Sequence, residues 1–232
     1  MLAMRAIAEE LMDADDLDAA TYAAVVHDLA RVNTLTLARR PTINFLNKIA
    51  ARHDPMASAI RILDVGFGDG DMLRAIARWA RKRGQPVELV GIDLNPRSAP
   101  AAQQGTPADM AIDYRTGDYA GLAGAHWDVV LSSLVAHHMT HAQLVAFVRF
   151  MDSEARCGWF VNDLHRHGFA WTGYPLLARL MRWHPIVRHD GQLSIARSYR
   201  PAEWPPILTE AGINNACVTR IFPFRLCVTK IR

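Results

Sequence analysis

Cysteine is scarce: Cys157, Cys217 and Cys227 are the only three, and none falls in a CxxC or zinc-type spacing. This excludes a disulfide-built scaffold and a cysteine-ligated metal centre, and an odd number of thiols suits a reducing, cytoplasmic setting. No apolar run approaches the ~18 residues a membrane span requires. The opening "MLAMRAIAEELMDADDLDAATY" has no basic stretch followed by an apolar one, so no export signal is expected. Nor is there a tract of one charge. The formal net charge of +3 arises from 26 basic and 23 acidic residues dispersed along the chain, a poor footprint for nucleic acid. Internal repeats and low-complexity linkers are missing too.

What is present is apolar residues, 50% of the 232, enough for a large core in one substantial domain. From residue 2 to 51, Ile7, Leu11, Tyr22, Val25, Val26, Leu29, Val32, Leu35, Leu37, Ile43, Phe45 and Leu46 recur at helical spacing, and Pro41 fits a first helical turn. From Arg61 short apolar runs alternate with amphipathic stretches, the pattern of parallel strands and crossover helices. Strands are predicted at 61–66, 87–93, 110–118, 127–133 and 158–164, and two more with a tight connection at Pro223 in "NACVTRIFPFRLCVTKI". "DMLRAIARWARKRG" reads as a helix stopped by Gly84, and Thr140 with Gln143 as a capping box opening the next. These signals predict an α/β, doubly wound, mostly parallel seven-stranded sheet with a C-terminal antiparallel hairpin. Residues 1–56 form a helical cap, 57–232 the main domain, and 165–200 an insertion over the site.

"LDVGFGDGD" places Gly66, Gly68 and Gly70 between a strand and a helix, where backbone must pass close to a ligand and helix N–H groups are free. The dinucleotide pattern GxGxxG is not met, because Asp71 stands at its third glycine. Asp93, in "GIDLNP" at the end of the second strand, is suited to accept from two ribose hydroxyls, and Asp118, in "RTGDY" after the third, from an adenine amine.

In this order, "LDVGFGDGD", "GIDLNP", "GDY" and "WDVVLSSLVAHH" with the closing hairpin resemble the class I S-adenosylmethionine-dependent methyltransferases over roughly residues 60–232. Asp64 stands where many members have Glu. The resemblance implies S-adenosyl-L-methionine as cofactor, held by Asp64, Gly66, Gly68, Gly70, Asp93, Leu94, Asp118, Tyr119 and Ser133. "FVNDLHRHGFAW" and "RHDGQLSIARSYRPAEW" look like small bacterial enzymes related to those of ubiquinone biosynthesis and polyketide tailoring, which methylate small aromatic or quinone-like acceptors. The expected partner is thus a small aromatic metabolite, not nucleic acid or membrane, met by a monomer or homodimer.

Ligands in such sheets lie at the carboxyl ends of strands, which points to Ser132, Ser133, His137, His138, Asn162, Asp163, His165 and His167. A phenol gains from losing its proton as it attacks, and imidazole suits that task. His138 or His165 is the expected general base, with His137 as the third candidate. If the strand stays extended, His137 and His138 point to opposite faces, while His141 faces solvent at a helix start. No metal is expected: His137, His138 and Asp163 could converge, but "SSLVAHH" lacks the acid that metal-dependent relatives carry after strand four. Tyr22, Arg31, Asn33, Phe169, Trp171, Tyr174, Arg188, His189 and Ser194 are expected to shape the acceptor pocket. Leu176, Leu177, Leu180, Met181 and Trp183 read as a helix packing on the core, and Arg39 and Arg40 as solvated. Nucleic-acid methylation, nicotinamide-dependent reduction and a silent cofactor-binding subunit are the rivals; the first lacks its proline-rich fourth motif and the second its Tyr-x-x-x-Lys pair. C- or N-methylation shares the scaffold with O-methylation.

Overall fold

The computed structural model describes residues 2–52 and 58–232. Strands β1 (Ile60–Val65), β2 (Val87–Asp93), β3 (Asp113–Thr116), β4 (Trp127–Ser133), β5 (Ala155–Leu164), β6 (Cys217–Ile221) and β7 (Arg225–Ile231) form one sheet, in the order β3-β2-β1-β4-β5-β7-β6. The first five are parallel; β7 runs antiparallel to β5, and β6 antiparallel to β7. Strand alternation sends Ile60 and Ile62 to one face, where α2 (Arg39–Ala50), α3 (Asp71–Arg83) and α4 (Ser98–Gln104) cover them with Leu46, Leu73, Ile76 and Ala102. Leu63 and Val65 face the other side, under Leu144 and Phe147 of α5 (His141–Glu154) and Trp204 and Ile207 of α8 (Trp204–Glu210). The expected sheet is therefore present, with β3 shorter than predicted and β5 beginning three residues earlier, at Ala155.

The helix boundaries follow their local signals. Gly84 closes α3 at φ 67°, and the Thr140–Gln143 capping box opens α5 with both reciprocal bonds. A third, smaller core joins Val25 of α1 (Ala19–Leu35) to Ala178 of α6 (Gly168–Leu180) and Val187 of α7 (Pro185–Arg197), with Trp183 between the last two.

Two readings need correction here. Residues 2–10 are not helical: only a 3₁₀ turn, Leu11–Asp13, precedes α1. Their backbone finds distant partners instead. The Ala6 N–H donates to the Ala196 carbonyl, and the Leu11 and Met12 N–H groups donate to the two oxygens of Asp190. Ile7, at 95% exposed, contributes no apolar face to a helix. Leu176 and Leu180 of α6 and the following Met181 are exposed, not packed on the core; Leu177, Ala178 and Trp183 carry the contact. The helix contains Pro175, which cannot donate to the Trp171 carbonyl, and the Gln192 amide from α7 takes that acceptor.

Among the described residues no helix is long and apolar enough to cross a membrane. Cys227 is 1% exposed on β7 and burial pushes its thiol up to about 12, whereas Cys217 is exposed on the edge strand. A thiol reagent at neutral pH should therefore label Cys217 in the native protein and reach Cys227 only on unfolding. Rapid native labelling of Cys227, read by mass spectrometry of peptides, would contradict the pairing of β5 with β7.

Candidate functional site

The carboxyl ends of β1, β2, β4 and β5 open into a cavity of about 760 Å³, roofed by α1, α6, α7 and the N-terminal segment. At one end lies the glycine loop. Gly66, at φ 76°, comes so close to the loop after β4 that a Cβ there would sit 2.3 Å from Val135 Cγ2. Gly68, at φ 53°, would aim its Cβ into open space, leaving that part of the cavity bare backbone. Gly70 behaves differently from expectation: it is not part of the lining, and its missing Cβ makes room for the Tyr114 hydroxyl.

The acids divide in the same way. Asp93 lines the cavity, and its two carboxylate oxygens accept one N–H each, from Gly68 and Asn95. Ser98 also hydrogen-bonds this carboxylate, whose two oxygens still offer acceptor capacity suited to a vicinal diol. Burial raises the Asp93 pKa. Burial, then the charges of Asp71 and Asp93, hold the fully buried Asp64 well above the usual carboxylate range, and its Oδ1 has no hydrogen-bond partner among the described residues. Ser133 Oγ is likewise buried and without a partner. Such orphaned acceptors and donors around a bare glycine loop fit a polar ligand seated there. Leu94 and Tyr119 add apolar walls, Tyr119 being braced by Phe147 and Phe150. Asp118 does not reach the lining: its Oδ1 accepts the Ala120 N–H at the start of a short 3₁₀ turn, leaving the side chain exposed at the rim.

At the other end stand the histidines. β4 finishes at Ser133, and Leu134 takes a left-handed turn at φ 62°. Ala136–His138 then form a 3₁₀ turn, so the extended-strand argument fails and both His137 and His138 face the cavity, their rings 4.3 Å apart. Asp163 of β5 fixes this turn twice, accepting the His137 backbone N–H at 2.9 Å and pairing with its Nδ1 at 2.7 Å. His137 Nε2 faces Glu10 Oε1 at 3.6 Å, and His138 lies 3.8 Å from Glu10 Oε2 and 3.2 Å from Asp13. Burial alone would lower the His137 pKa, but Asp163 and Glu10 outweigh it and raise the imidazolium to about 9. His165, at the end of β5, is the opposite case: burial first, then neighbouring His167, Arg220, Arg200 and Arg166, push its pKa below the ordinary value. His141 sits at a helix start, paired with Glu210, as its capping context implied.

Several expected acceptor contacts lie elsewhere. The Tyr22 hydroxyl bonds Ser98 Oγ at 2.7 Å beside Asp93, and Asn33 reaches toward Asp71, so both serve the glycine-loop end. Arg31 is exposed and pairs with Asp28 one turn away. Trp171, Arg188 and His189 are outside the cavity: the first offers its carbonyl to Gln192, the second bonds the Trp183 carbonyl, and the third pairs with Asp190 on the surface. Phe169, Tyr174 and Ser194 do line it. Arg39 is not solvated but pairs with Asp71 at 2.9 Å. Asn162 is tied to the Ala38 carbonyl and Thr42, a structural bond across to α2.

Glu10 and Arg225 were not foreseen. Arg225, buried at the start of β7, lines the cavity with Nε and Nη1 unpartnered, donors suited to an anionic group. Arg225 falls inside a predicted strand and carried no signal. Glu10 could have been suspected as a carboxylate preceding a break in helical pattern, but its partners lie more than a hundred residues away.

Residues 62–154 match the family model of a methyltransferase domain. Comparison with curated proteins finds none that matches the chain. Among solved structures, a putative O-methyltransferase from Nostoc punctiforme PCC 73102 is similar over 100% of this chain and 65% of its own, at 14% identity and a TM-score of 0.65. Human N-acetylserotonin methyltransferase in complex with SAM is similar over 93% and 56%, at 12% identity and a TM-score of 0.63. Magnesium protoporphyrin IX methyltransferase from Synechocystis PCC 6803 with bound SAM is similar over 84% and 80%, at 16% identity and a TM-score of 0.54. At these identities the structural likeness establishes the fold.

Gly66 ties the two ends together through Val135. Gly66→Ala combines about 1–2 kcal/mol of left-handed strain with about 1–3 kcal/mol of overpacking, and should lower the melting temperature clearly. Gly68→Ala, with no atom to strike, should cost less stability. Equal losses in a thermal melt would contradict this account of the loop.

Proposed function

We propose that this class I S-adenosylmethionine-dependent methyltransferase transfers a methyl group to an oxygen of a small aromatic, phenolic or quinone-like metabolite. One observation carries the reading: a single, largely apolar cavity connects the glycine loop and Asp93 at one end with His165 and the histidine turn at the other. Such a cavity suits a flat hydrophobic acceptor of small-molecule size. When bound, S-adenosylmethionine supplies a methyl group on a positively charged sulfur. Asp93 would hold its ribose, the backbone of Gly66 and Gly68 its amino-acid portion near Asp64, and Leu94 and Tyr119 its adenine.

The protein's own work is to align the acceptor, exclude water and take a proton. His165 is assigned the last task. Its lowered pKa leaves the imidazole neutral at physiological pH and able to accept the phenol proton, whereas His137 is already protonated between two carboxylates. Phe169, Tyr174 and Leu177 would enclose the ring of the acceptor, and the unpartnered donors of Arg225 would meet an oxyanion. In this reading residues 1–56 and 165–200 are the cap of a methyltransferase domain spanning 57–232. The enzyme works in the cytoplasm on a metabolite, as a monomer or homodimer, and not on nucleic acid, whose base-gripping fourth motif "SSLV" does not resemble.

Calorimetry should show binding of S-adenosylhomocysteine, weakened about tenfold or more by Asp93→Ala, since a buried diol loses its acceptors. Wild-type protein that binds NADH and not S-adenosylhomocysteine would overturn the reading. With an accepted phenol, turnover should rise with pH through the depressed His165 pKa, below about 6.5, and level off above it. His165→Ala should lower kcat and abolish that rise while cofactor affinity stays nearly unchanged; full activity across about pH 5 to 9 would remove His165 as the base.

A further inference from the structure

The histidine turn holds a second arrangement that proton transfer by His165 leaves unused. Glu10, His137 and His138 each point one donor atom into the same corner of the cavity, all within 4.8 Å of one another. We propose that these three side chains form a binding site for a divalent transition-metal ion. The donor set is two imidazoles and one carboxylate, which favours zinc, iron, cobalt or nickel over magnesium or calcium.

The supporting geometry is in the groups behind the donors. Metal-bound histidine ordinarily gives its other ring nitrogen to a carboxylate, which fixes the ring and raises its basicity. His137 does so here, with Nδ1 hydrogen-bonded to Asp163 Oδ1 at 2.7 Å, and His138 Nδ1 lies at ion-pair distance, 3.2 Å, from Asp13 Oδ2. In each ring this leaves Nε2 toward Glu10, at 3.6 Å and 3.8 Å from its two oxygens. An ion about 2.0–2.2 Å from each donor in a tetrahedral site needs donor separations of roughly 3.3 Å, so an ion would draw the three side chains together from their present spread of up to 4.8 Å.

Glu10, Asp13, Asp163 and Asp190 gather around the turn and the segment that crosses it, with Arg5, Arg197 and, beside Asp163, Arg225 as the neighbouring guanidiniums. Ser194 donates to Glu10 Oε1 and Arg197 lies 3.7 Å from that same oxygen, which leaves Oε2 for the metal. Glu10 itself is held in place by its neighbours, since Asp190 fixes the adjoining Leu11 and Met12 amides. Three protein ligands facing an open cavity leave coordination positions for an oxygen of the acceptor. For that role alone the inference rests on the proposed methyltransferase reading; the ion would station an acceptor with an oxygen donor and ease its deprotonation.

The test is Co²⁺ titration of the metal-stripped full chain, without cofactor or acceptor, followed by visible ligand-field absorption and by Zn²⁺ competition. One equivalent should bind. Asp13→Asn should weaken binding about 10-fold or more, within the roughly 10–100-fold range of outer carboxylates, and Glu10→Gln with His138→Asn should abolish it. Circular dichroism of the variants reports folding. Absence of stoichiometric Co²⁺ and Zn²⁺ binding in the folded wild type, or undiminished binding by the folded Glu10→Gln/His138→Asn variant, overturns the site. S-adenosylhomocysteine binding, measured on the same samples, reports separately on the methyltransferase reading.

Discussion

The grip of Asp163 on His137 is the constraint from which the histidine end of the cavity is built. One buried carboxylate takes both the backbone N–H and the ring of the same histidine, and so converts the end of β4 into a tight turn facing the cavity. It also joins the loops after β4 and β5, which lie at the strand ends where an open α/β sheet keeps its ligands. Burial of both partners is tolerable because each cancels the other's charge: the acid stays below its usual range and the imidazolium above. Glu10 then completes the row from a segment that has no regular structure of its own.

The two ends of the cavity are electrically unlike. Asp64, Asp69, Asp71 and Asp93 crowd the glycine loop, three of them with raised pKa values, while Arg39 pairs with Asp71 and Arg74 with Asp69. A cation placed there is stabilised by acids already fixed in position. At the other end stand the histidines and the unpartnered donors of Arg225.

The sheet was legible because its signals are local. Alternation places Ile62 and Leu63 on opposite faces, Gly84 ends a helix, and Thr140 with Gln143 starts one, each readable within a few residues. The glycine loop and Asp93 were legible for the same reason. What failed required distant information. The alternation rule, which sets His137 and His138 on opposite faces, fails because the strand has already ended before a left-handed Leu134. Residues 2–10 carry a helical pattern, yet the Ala6 N–H donates to the distant Ala196 carbonyl and the Leu11 and Met12 N–H groups that follow donate to Asp190. Trp171, Arg188 and His189 were grouped with the pocket by composition, and the α6–α7 hairpin turns them to other duties.

The N-terminal strap has a consequence for the order in which the molecule assembles. Glu10 is held by Ser194, and Arg5 bonds the Arg197 carbonyl while its guanidinium stacks 3.8 Å from the Tyr199 ring. These contacts close loops of nearly two hundred residues, whereas the glycine loop and Asp93 meet across about twenty-five. Loop entropy makes the long closures late and the short ones early. During synthesis the half that holds the glycine loop and Asp93 can therefore take shape while its chamber still lacks a far wall. The histidine end is finished only when α7 has emerged and the strap folds back over it.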